Sequence, residues 1–410
     1  MNLNVIDLFA GCGGLAEGFE AAGGYSMLGA VEWEGAPRNT LARRLKTRWG
    51  VSDADARVMR FDLQDLDRLF NGWTDDEKYG SGVGLDRLVG GNRVDVVIGG
   101  PPCQAYSVAG RIRDRNGMRD DYRNYLFESY LAVIRRYQPS AFIFENVPGL
   151  LSARPDGTPI AARIQMEFEK AGWIIPADLK VAQVDMSEYG LPQKRKRLII
   201  LGLNRSVFGD RAEEMLARFY AEILPAGKER PVTVAEAIGD LPRLLPLRAG
   251  EATTGRSHGE APAAGTPTDH EPRFHNERDI RLFRVLAEDI ASGACRYASA
   301  ESLKKLYTES TGCRSNVHKY HVLRSDRPSN LIPAHLNKDG LRHIHPDPLQ
   351  ARSITVREAA RLQGFPDDFE FLGSRGDKYR MIGNAVPPRF SRIVAEALTR
   401  LLKEYGHERG

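Results

Sequence analysis

The sequence predicts an α/β protein with a mostly parallel sheet covered by helices on both faces. Three observations carry that expectation. Short apolar runs alternate with stretches of helical spacing from the N-terminus, in the order β-α-β-α-β. The first run, Leu3 to Phe9, ends in the glycine-rich turn Ala10-Gly11-Cys12-Gly13-Gly14 and passes into a helix, the opening of a nucleotide-binding βαβ unit. The run Val94 to Ile98 is apolar apart from Asp95, and Ala141 to Phe144 is apolar throughout, as strands buried on both faces are.

Taken in order, Leu15, Phe19 and Ala22 give the first helix its apolar spacing. A strand at Met27 to Val31 ends in Glu32-Trp33-Glu34, and a helix spans about Pro37 to Trp49. Val58 to Phe61 is a third strand, ending at Asp62. Asn71 to Gly91, rich in glycine and charge, reads as a surface insertion. Asn124 to Tyr137 is an amphipathic helix stopped by Pro139, and Ile160 to Ala171 is another. Strands at Val181 to Asp185 and Leu198 to Leu203 flank Gln193-Lys194-Arg195-Lys196-Arg197. Two capping boxes, Thr233/Glu236 and Thr355/Glu358, open helices to Ile238 and Gln363. Between them Arg243 to Pro272 reads as a long loop, Asn276 to Ile290 as a helix and Lys319 to Ile332 as irregular or strand. Gly383 to Pro388 is a turn feeding a last amphipathic helix, Phe390 to Tyr405.

A chain of 410 residues can bury a full core and is long enough for two domains. The net charge of +4 permits nucleic acid as a partner without requiring it. Cys12, Cys103, Cys295 and Cys313 lie far apart, which argues for a reduced, cytoplasmic protein without a disulfide framework or zinc ribbon. No signal peptide is read at the start, and no run approaches the ~20 apolar residues a bilayer needs, so no membrane role is expected. Five of the nine histidines fall between His318 and His345, but no cysteine or acid cluster completes a four-ligand set, so no metal is expected.

The stretch with the most chemical promise is Gly99-Gly100-Pro101-Pro102-Cys103-Gln104-Ala105-Tyr106-Ser107. Two glycines end a strand, and two prolines stiffen the turn and keep it out of helix and sheet. One cysteine is left on a rigid mount; a buried structural cysteine is the alternative. The N–H groups of the Gly11 to Gly14 turn suit an anion, either a phosphate or an amino-acid carboxylate. Glu32 sits where an acid grips ribose hydroxyls, and Asp62 could accept from an adenine amino group. These features suggest an adenosine-containing cofactor without separating a dinucleotide from S-adenosylmethionine.

Five runs, in order along nearly the whole chain, resemble those of bacterial DNA (cytosine-5) methyltransferases. They are Asp7-Leu8-Phe9-Ala10-Gly11-Cys12-Gly13-Gly14, Gly100-Pro101-Pro102-Cys103-Gln104, Glu145-Asn146-Val147, Gln193-Lys194-Arg195-Lys196-Arg197 and Gly383-Asn384-Ala385-Val386-Pro387. The resemblance implies a Rossmann-like S-adenosylmethionine-dependent methyltransferase fold with a smaller inserted target-recognition domain. It further implies methyl transfer to C5 of a flipped-out cytosine in a specific duplex DNA sequence, through a covalent Cys103–C6 adduct. Glu145 would protonate N3, and Arg195 and Arg197 would hold the base O2, the carboxylate and the thiol region. Phe9, Gly11, Gly13, Leu15, Glu32, Trp33, Asp62, Leu63, Pro101, Leu126, Asn384 and Val386 would line the cofactor pocket. The Asn384 assignment implies that the C-terminal helix returns beside the first strand. Cys12 is expected to pack rather than react.

The segment from Gln104 to Arg123, with five arginines between Arg111 and Arg123, would close over the base; Gln104, Ser107, Arg111, Arg113 and Arg115 are the candidate DNA contacts, and an ordinary polar surface loop is the alternative. Domains are expected at 1–204 (catalytic), 205–350 (target recognition) and 351–410 (returning to the catalytic domain). The implied biology is restriction-modification, with a cognate restriction endonuclease acting separately or an orphan enzyme, as a monomer on double-stranded DNA. Three alternatives stand beside this: an RNA cytosine-5 methyltransferase, a dinucleotide-dependent oxidoreductase and a catalytically silent DNA-binding protein.

Overall fold

The computed structural model describes residues 2–102, 126–154, 157–248, 251, 253, 255–259, 267–314 and 320–406. The described chain divides into two compact units. The first holds residues 1–189, 195–229 and 385–410, and the second holds 190–194 and 230–384.

The first unit is built on an eight-stranded sheet. Its strands are β1 (Leu3–Leu8), β2 (Tyr25–Glu32), β3 (Val58–Arg60), β6 (Val96–Gly99), β7 (Ala141–Asn146), β8 (Trp173–Ile174), β9 (Gln183–Asp185) and β10 (Lys196–Asn204). The order is β3-β2-β1-β6-β7-β10-β8, with β9 on the free part of β10. The first five run parallel, while β10 is antiparallel to β7, β8 and β9. β1 is central and buried along its whole length, because helices cover both faces. The chain builds outward from β1 through β2 and β3, then returns to place β6 on its other side. This reversal opens a crevice at the carboxyl ends of β1 and β6, where open α/β sheets bind ligands.

Helix α1 (Gly14–Ala22) is clamped to α2 (Gly35–Thr47) by a buried ion pair. Arg44 donates to Glu17 through Nε (2.9 Å) and Nη2 (2.6 Å), and Trp49 Nε1 adds a third bond to Glu17 at 3.0 Å. On its other side α1 meets the C-terminal helix, Pro388–Glu404. Two glycines one turn apart allow the approach: a Cβ on Gly14 would stand 2.1 Å from the Val386 carbonyl oxygen, and one on Gly18 2.3 Å from Ser391 Cβ. Tyr25 at the start of β2 donates to the carbonyl of Ala395 at 2.8 Å. The expected return of the C-terminal helix to the first strand is therefore present.

Several expectations change. Residues 71–91 are no loose insertion: β4 (Trp73–Asp76) and β5 (Gly80–Gly82) form a hairpin followed by a helix, Leu85–Val89. Trp73, Leu85 and Val89 are buried in the core of the first unit, which outweighs the local glycine and charge. The strand expected at 181–185 begins only at Gln183, because a 3-10 turn occupies Leu179–Ala182.

The domain limits also move. Residues 205–229 carry the helix Arg211–Arg218, pack with the first unit and do not open the second. Residues 351–384 belong to the second unit, so only 385–410 return to the first.

The second unit has its own core of Leu282, Phe283, Leu286, Ala287, Leu306, Val322, Ile344 and Ala351. Both capping boxes form as expected. The helix Glu277–Ala291 starts at an Asn276 cap, as its spacing indicates. The helix Ala300–Thr311 gave no such signal, because Ser302 rather than a Glu or Gln closes its box with Ser299. Gly383 and Asn384 end the helix Arg375–Asn384 instead of forming a turn; a Cβ on Gly383 would lie 2.3 Å from the backbone of Pro333 and Ala334. The expected loop at 243–272 is pinned where it is described. Leu245–Pro246 pairs with His258–Gly259, and the buried His258 and His270 bond the carbonyls of Gln350 and Pro242 at 2.9 Å and 2.8 Å.

Candidate active site

The crevice at the carboxyl ends of the parallel strands collects most of the residues singled out in the sequence. Phe9, the residue after β1, adopts a positive φ of 57°, a conformation a bulky side chain rarely takes. Gly11 and Gly13 follow at +57° and +89°, where glycine carries no steric cost. Space around Gly11 is open: a Cβ there would meet nothing within 4 Å. Leu15, the second residue of α1, is buried, and Val386 covers Gly14.

Glu32 closes β2 and is buried. Its Oε2 accepts from Gly11 N at 2.8 Å and its Oε1 from Glu34 N at 2.8 Å. Both oxygens thus have backbone donors, and the Trp33 N–H adds to them. Burial pushes the Glu32 carboxyl up to about 7, against those hydrogen bonds. Asp7 on β1 is fully buried, and burial together with the nearby Glu32 charge raises its acid well above the carboxylate range. The neighbouring Cys12 is buried and its thiol is pushed upward by desolvation, which suits the packing role. Trp33 follows with its indole 41% exposed. After β3, Asp62 accepts from Gln64 N at 3.1 Å and Leu63 is buried.

β6 delivers the proline turn. Gly99 pairs with Phe144, so the segment leaving β6 runs beside Glu145 on β7. Gly100 lies against that carboxylate: a Cβ on it would stand 2.8 Å from Glu145 Oε2, which would have to move aside. Pro101 is buried at the start of the turn, and Leu126 is buried at the head of the helix Leu126–Tyr137. Cys103, Gln104, Ser107, Arg111, Arg113 and Arg115 lie outside the described residues.

β7 and β10 are antiparallel neighbours with Ile199 opposite Glu145, and Arg197, two residues along β10, shares the face of Ile199 and comes within reach of the carboxylate. Arg197 Nε stands 2.9 Å from Glu145 Oε1, with both side chains mostly buried. Arg195 is buried and donates through Nη2 to the Ala385 carbonyl at 3.0 Å. Desolvation and the Arg197 charge lower its affinity for its proton, and Glu145 opposes them. Glu145, Arg195 and Arg197 thus form one electrostatic cluster.

Other expected residues lie in the second unit. Asn384 is exposed at the end of Arg375–Asn384 in the second unit. Gln193, at the start of the basic run, is buried in the second unit; it donates to the Leu362 carbonyl at 2.9 Å and accepts from Ile332 N at 3.1 Å. The sequence carried no signal for that role, since a buried glutamine looks like any polar residue in a charged run. His343 and His345, which share a face in an extended chain, are buried and bonded to backbone: His343 Nε2 lies 3.1 Å from the Leu331 carbonyl and His345 Nδ1 accepts from Asp347 N at 3.1 Å. Among the described residues no group of three or more His, Cys, Asp and Glu could hold a metal. No described helix is long and apolar enough to cross a membrane.

Residues 86–400 match the family of C-5 cytosine-specific DNA methylases. The chain belongs to that family. It is 30% identical to the type II methyltransferase M.Bpa9945I of Bacillus paralicheniformis, over 96% of this chain and 98% of that one. It is 31% identical to the type II methyltransferase M1.HphI of Haemophilus parahaemolyticus, over 98% and 88%. The fold is shared with a prophage-encoded E. coli protein described as a DNA modification methyltransferase (TM-score 0.62, 24% identity, 98% and 100% covered) and with the S. pombe Dnmt2 methyltransferase (0.54, 14%, 98% and 99%). The activity of this methylase is therefore methylation of DNA cytosine at C5, and it stands among bacterial restriction-modification enzymes. The dinucleotide-dependent oxidoreductase and the silent DNA-binding protein give way to it.

Proposed function

We propose that the methylase uses S-adenosylmethionine to methylate a cytosine flipped out of a specific duplex sequence, with Cys103 as the nucleophile. The observation that carries this reading is the row of groups at one end of the sheet. An open glycine turn and the doubly donated Glu32 stand on the β1/β2 side, and a Glu145–Arg197 pair stands beside the β6 turn that leads to Cys103.

The residues fit an adenosine-type cofactor. Glu32 keeps acceptor capacity beyond its backbone donors for ribose hydroxyls. The exposed Trp33 ring and the apolar Leu63 suit a purine face, and Asp62 suits its amino group. Phe9, Gly11, Gly13, Leu15, Pro101, Leu126 and Val386 complete the lining. When bound, S-adenosylmethionine supplies an electrophilic methyl on a sulfonium.

The chain's residues then activate the base. C5 of cytosine is a weak nucleophile. Attack of the Cys103 thiolate on C6 forms the S–C6 bond and shifts the electron pair toward N3, where Glu145 delivers a proton. C5 becomes enamine-like. After methylation, loss of the C5 proton to a base, departure of the Cys103 thiolate and return of the N3 proton to Glu145 restore the aromatic ring and the enzyme. Arg197 orients Glu145, and Arg195 sets the charge beside it. The second unit would read the flanking sequence, with the segment from Gln104 through Arg115 closing on the extruded base. The enzyme would act as a monomer on DNA in the cytoplasm, alongside a separate restriction endonuclease.

The test uses duplex DNA carrying 5-fluorocytosine, in which fluorine blocks the final elimination. With S-adenosylmethionine present, a covalent protein–DNA adduct should map to Cys103 by peptide mass spectrometry. Sequencing methylated host DNA first supplies the duplex to use. Turnover of the ordinary duplex without an adduct on the fluorinated one would refute the covalent route.

A further inference from the structure

The β4–β5 hairpin takes no part in the chemistry above, yet its tip reaches Trp33. Its base is fixed to the strand that leads to Asp62: Trp73 stacks on Phe61 with ring centroids 3.9 Å apart and planes at 23°. Gly82 lies flat on that indole, because a Cβ there would fall 2.3 Å from its ring atoms. The tip is fixed by Asp76, whose Oδ1 accepts from Lys78 N at 2.9 Å and Tyr79 N at 2.8 Å. Its other oxygen pairs with Arg68 at 2.7 Å.

The Lys78 side chain is held as well. Its ammonium donates to the Tyr79 hydroxyl at 2.7 Å, and the Tyr79 ring stands edge-on to Phe61 at 5.3 Å. From there the ammonium lies 5.5 Å from the centroid of the Trp33 ring. Trp33 needs such a partner: its ring is 41% exposed, and Arg60 reaches only its carbonyl, at 3.4 Å.

We propose that Lys78 is a positioning residue for the adenine end of the cofactor site, lying over one face of the Trp33 indole and fixing the ring so that its other face receives the purine. This rests on the cofactor reading given under Proposed function. A cation over an indole face is attracted by the ring quadrupole, and at an exposed site that attraction corresponds to about two- to fivefold in an equilibrium constant.

The test is a double-mutant cycle read by calorimetry with S-adenosylhomocysteine, on the full chain. Lys78→Ala should weaken binding about two- to fivefold, and Lys78→Arg should restore it. In a Trp33→Leu background Lys78→Ala should change nothing further. A merely structural role for Lys78 would give the same loss in both backgrounds, and that result overturns the proposal. So does wild-type or tighter affinity in Lys78→Ala. If Trp33→Leu weakens binding while Lys78→Ala does not, only the role of Lys78 fails. If Trp33→Leu binds as the wild type does, the placement of the purine fails with it.

Discussion

The buried Glu32 makes cofactor binding depend on pH, and the sign follows from its surroundings. In the ligand-free protein burial holds its carboxyl up to about 7, so at pH 6 it is mostly protonated. A protonated carboxyl has lost one acceptor site and offers ribose hydroxyls less. Two hydroxyls donating to the carboxylate favour the ionised form, so binding releases a proton. If the bound acid returns to its ordinary value, affinity should rise about tenfold between pH 6 and pH 8 and flatten above. The ligand for this test is 5′-methylthioadenosine, which carries the ribose and purine but nothing that titrates in that range. Calorimetry in two buffers of different ionisation enthalpy would read both the affinity and the proton. Glu32→Gln should remove the pH dependence and weaken binding throughout, because its amide NH2 would face the N–H of Gly11 or Glu34 and leave one of them unpaired. Asp7 senses the Glu32 charge, so Asp7→Asn serves as the control and should keep the slope. Affinity unchanged from pH 6 to pH 8, or wild-type affinity in Glu32→Gln, would refute the argument.

Three further outcomes are expected. Glu145→Gln should lower kcat about 10²- to 10⁴-fold in a tritiated-methyl transfer assay with little change in cofactor affinity, the loss a general acid brings; Arg197→Lys should fall less, since it keeps a cation near Glu145 but loses the Nε geometry. Gly14→Ala should cost about 1–3 kcal/mol in urea titration, because its methyl must displace the Val386 carbonyl. The second unit should weaken in acid: burial lowers His258, His343 and His345 to about 4 and His275 to about 3. Their folded values lie below the unfolded 6.5, so the unfolded chain takes up protons first. Stability is full above pH 6.5 and should fall by several kcal/mol toward pH 5, read as the shift of the urea midpoint with pH.

The parallel half of the first unit was legible because its strands are short, apolar and punctuated by glycine. So were the helices with true capping boxes, Thr233/Glu236 and Thr355/Glu358. What escaped depends on partners far along the chain. The hairpin at 73–82 looks like solvent-exposed polar sequence until Trp73 is stacked on Phe61. The helix Arg375–Asn384 has little apolar spacing of its own and is held by burial of Tyr379, Met381 and Ile382. Gly14 and Gly18 read as weak helix formers; their use appears only when Ser391 and Val386 arrive from the other end of the chain. The domain limits shifted for the same reason, since sequence spacing says nothing of which core residues 205–229 and 351–384 join.

The candidate acids were found by residue type and strand position, but their environments separate their tasks. Glu32 is held by backbone N–H groups, from Gly11 on one oxygen and Glu34 on the other with Trp33 beside them. Glu145 is asymmetric. Oε1 is held by Arg197 at 2.9 Å, while Oε2 lies against Gly100, where even a methyl would intrude. Oε2 is thus the oxygen on which the proposed proton delivery to N3 would rely. Two glutamates at the same edge of one sheet thus stand in different surroundings, one held by backbone N–H groups and one by a guanidinium, which is the contrast the proposed function would use. The difference arises because Arg60, which pairs with Glu32 across β2 and β3, turns its guanidinium to the Trp33 carbonyl, whereas the antiparallel β10 carries Arg197, two residues from the Ile199 that faces Glu145, within reach of the carboxylate.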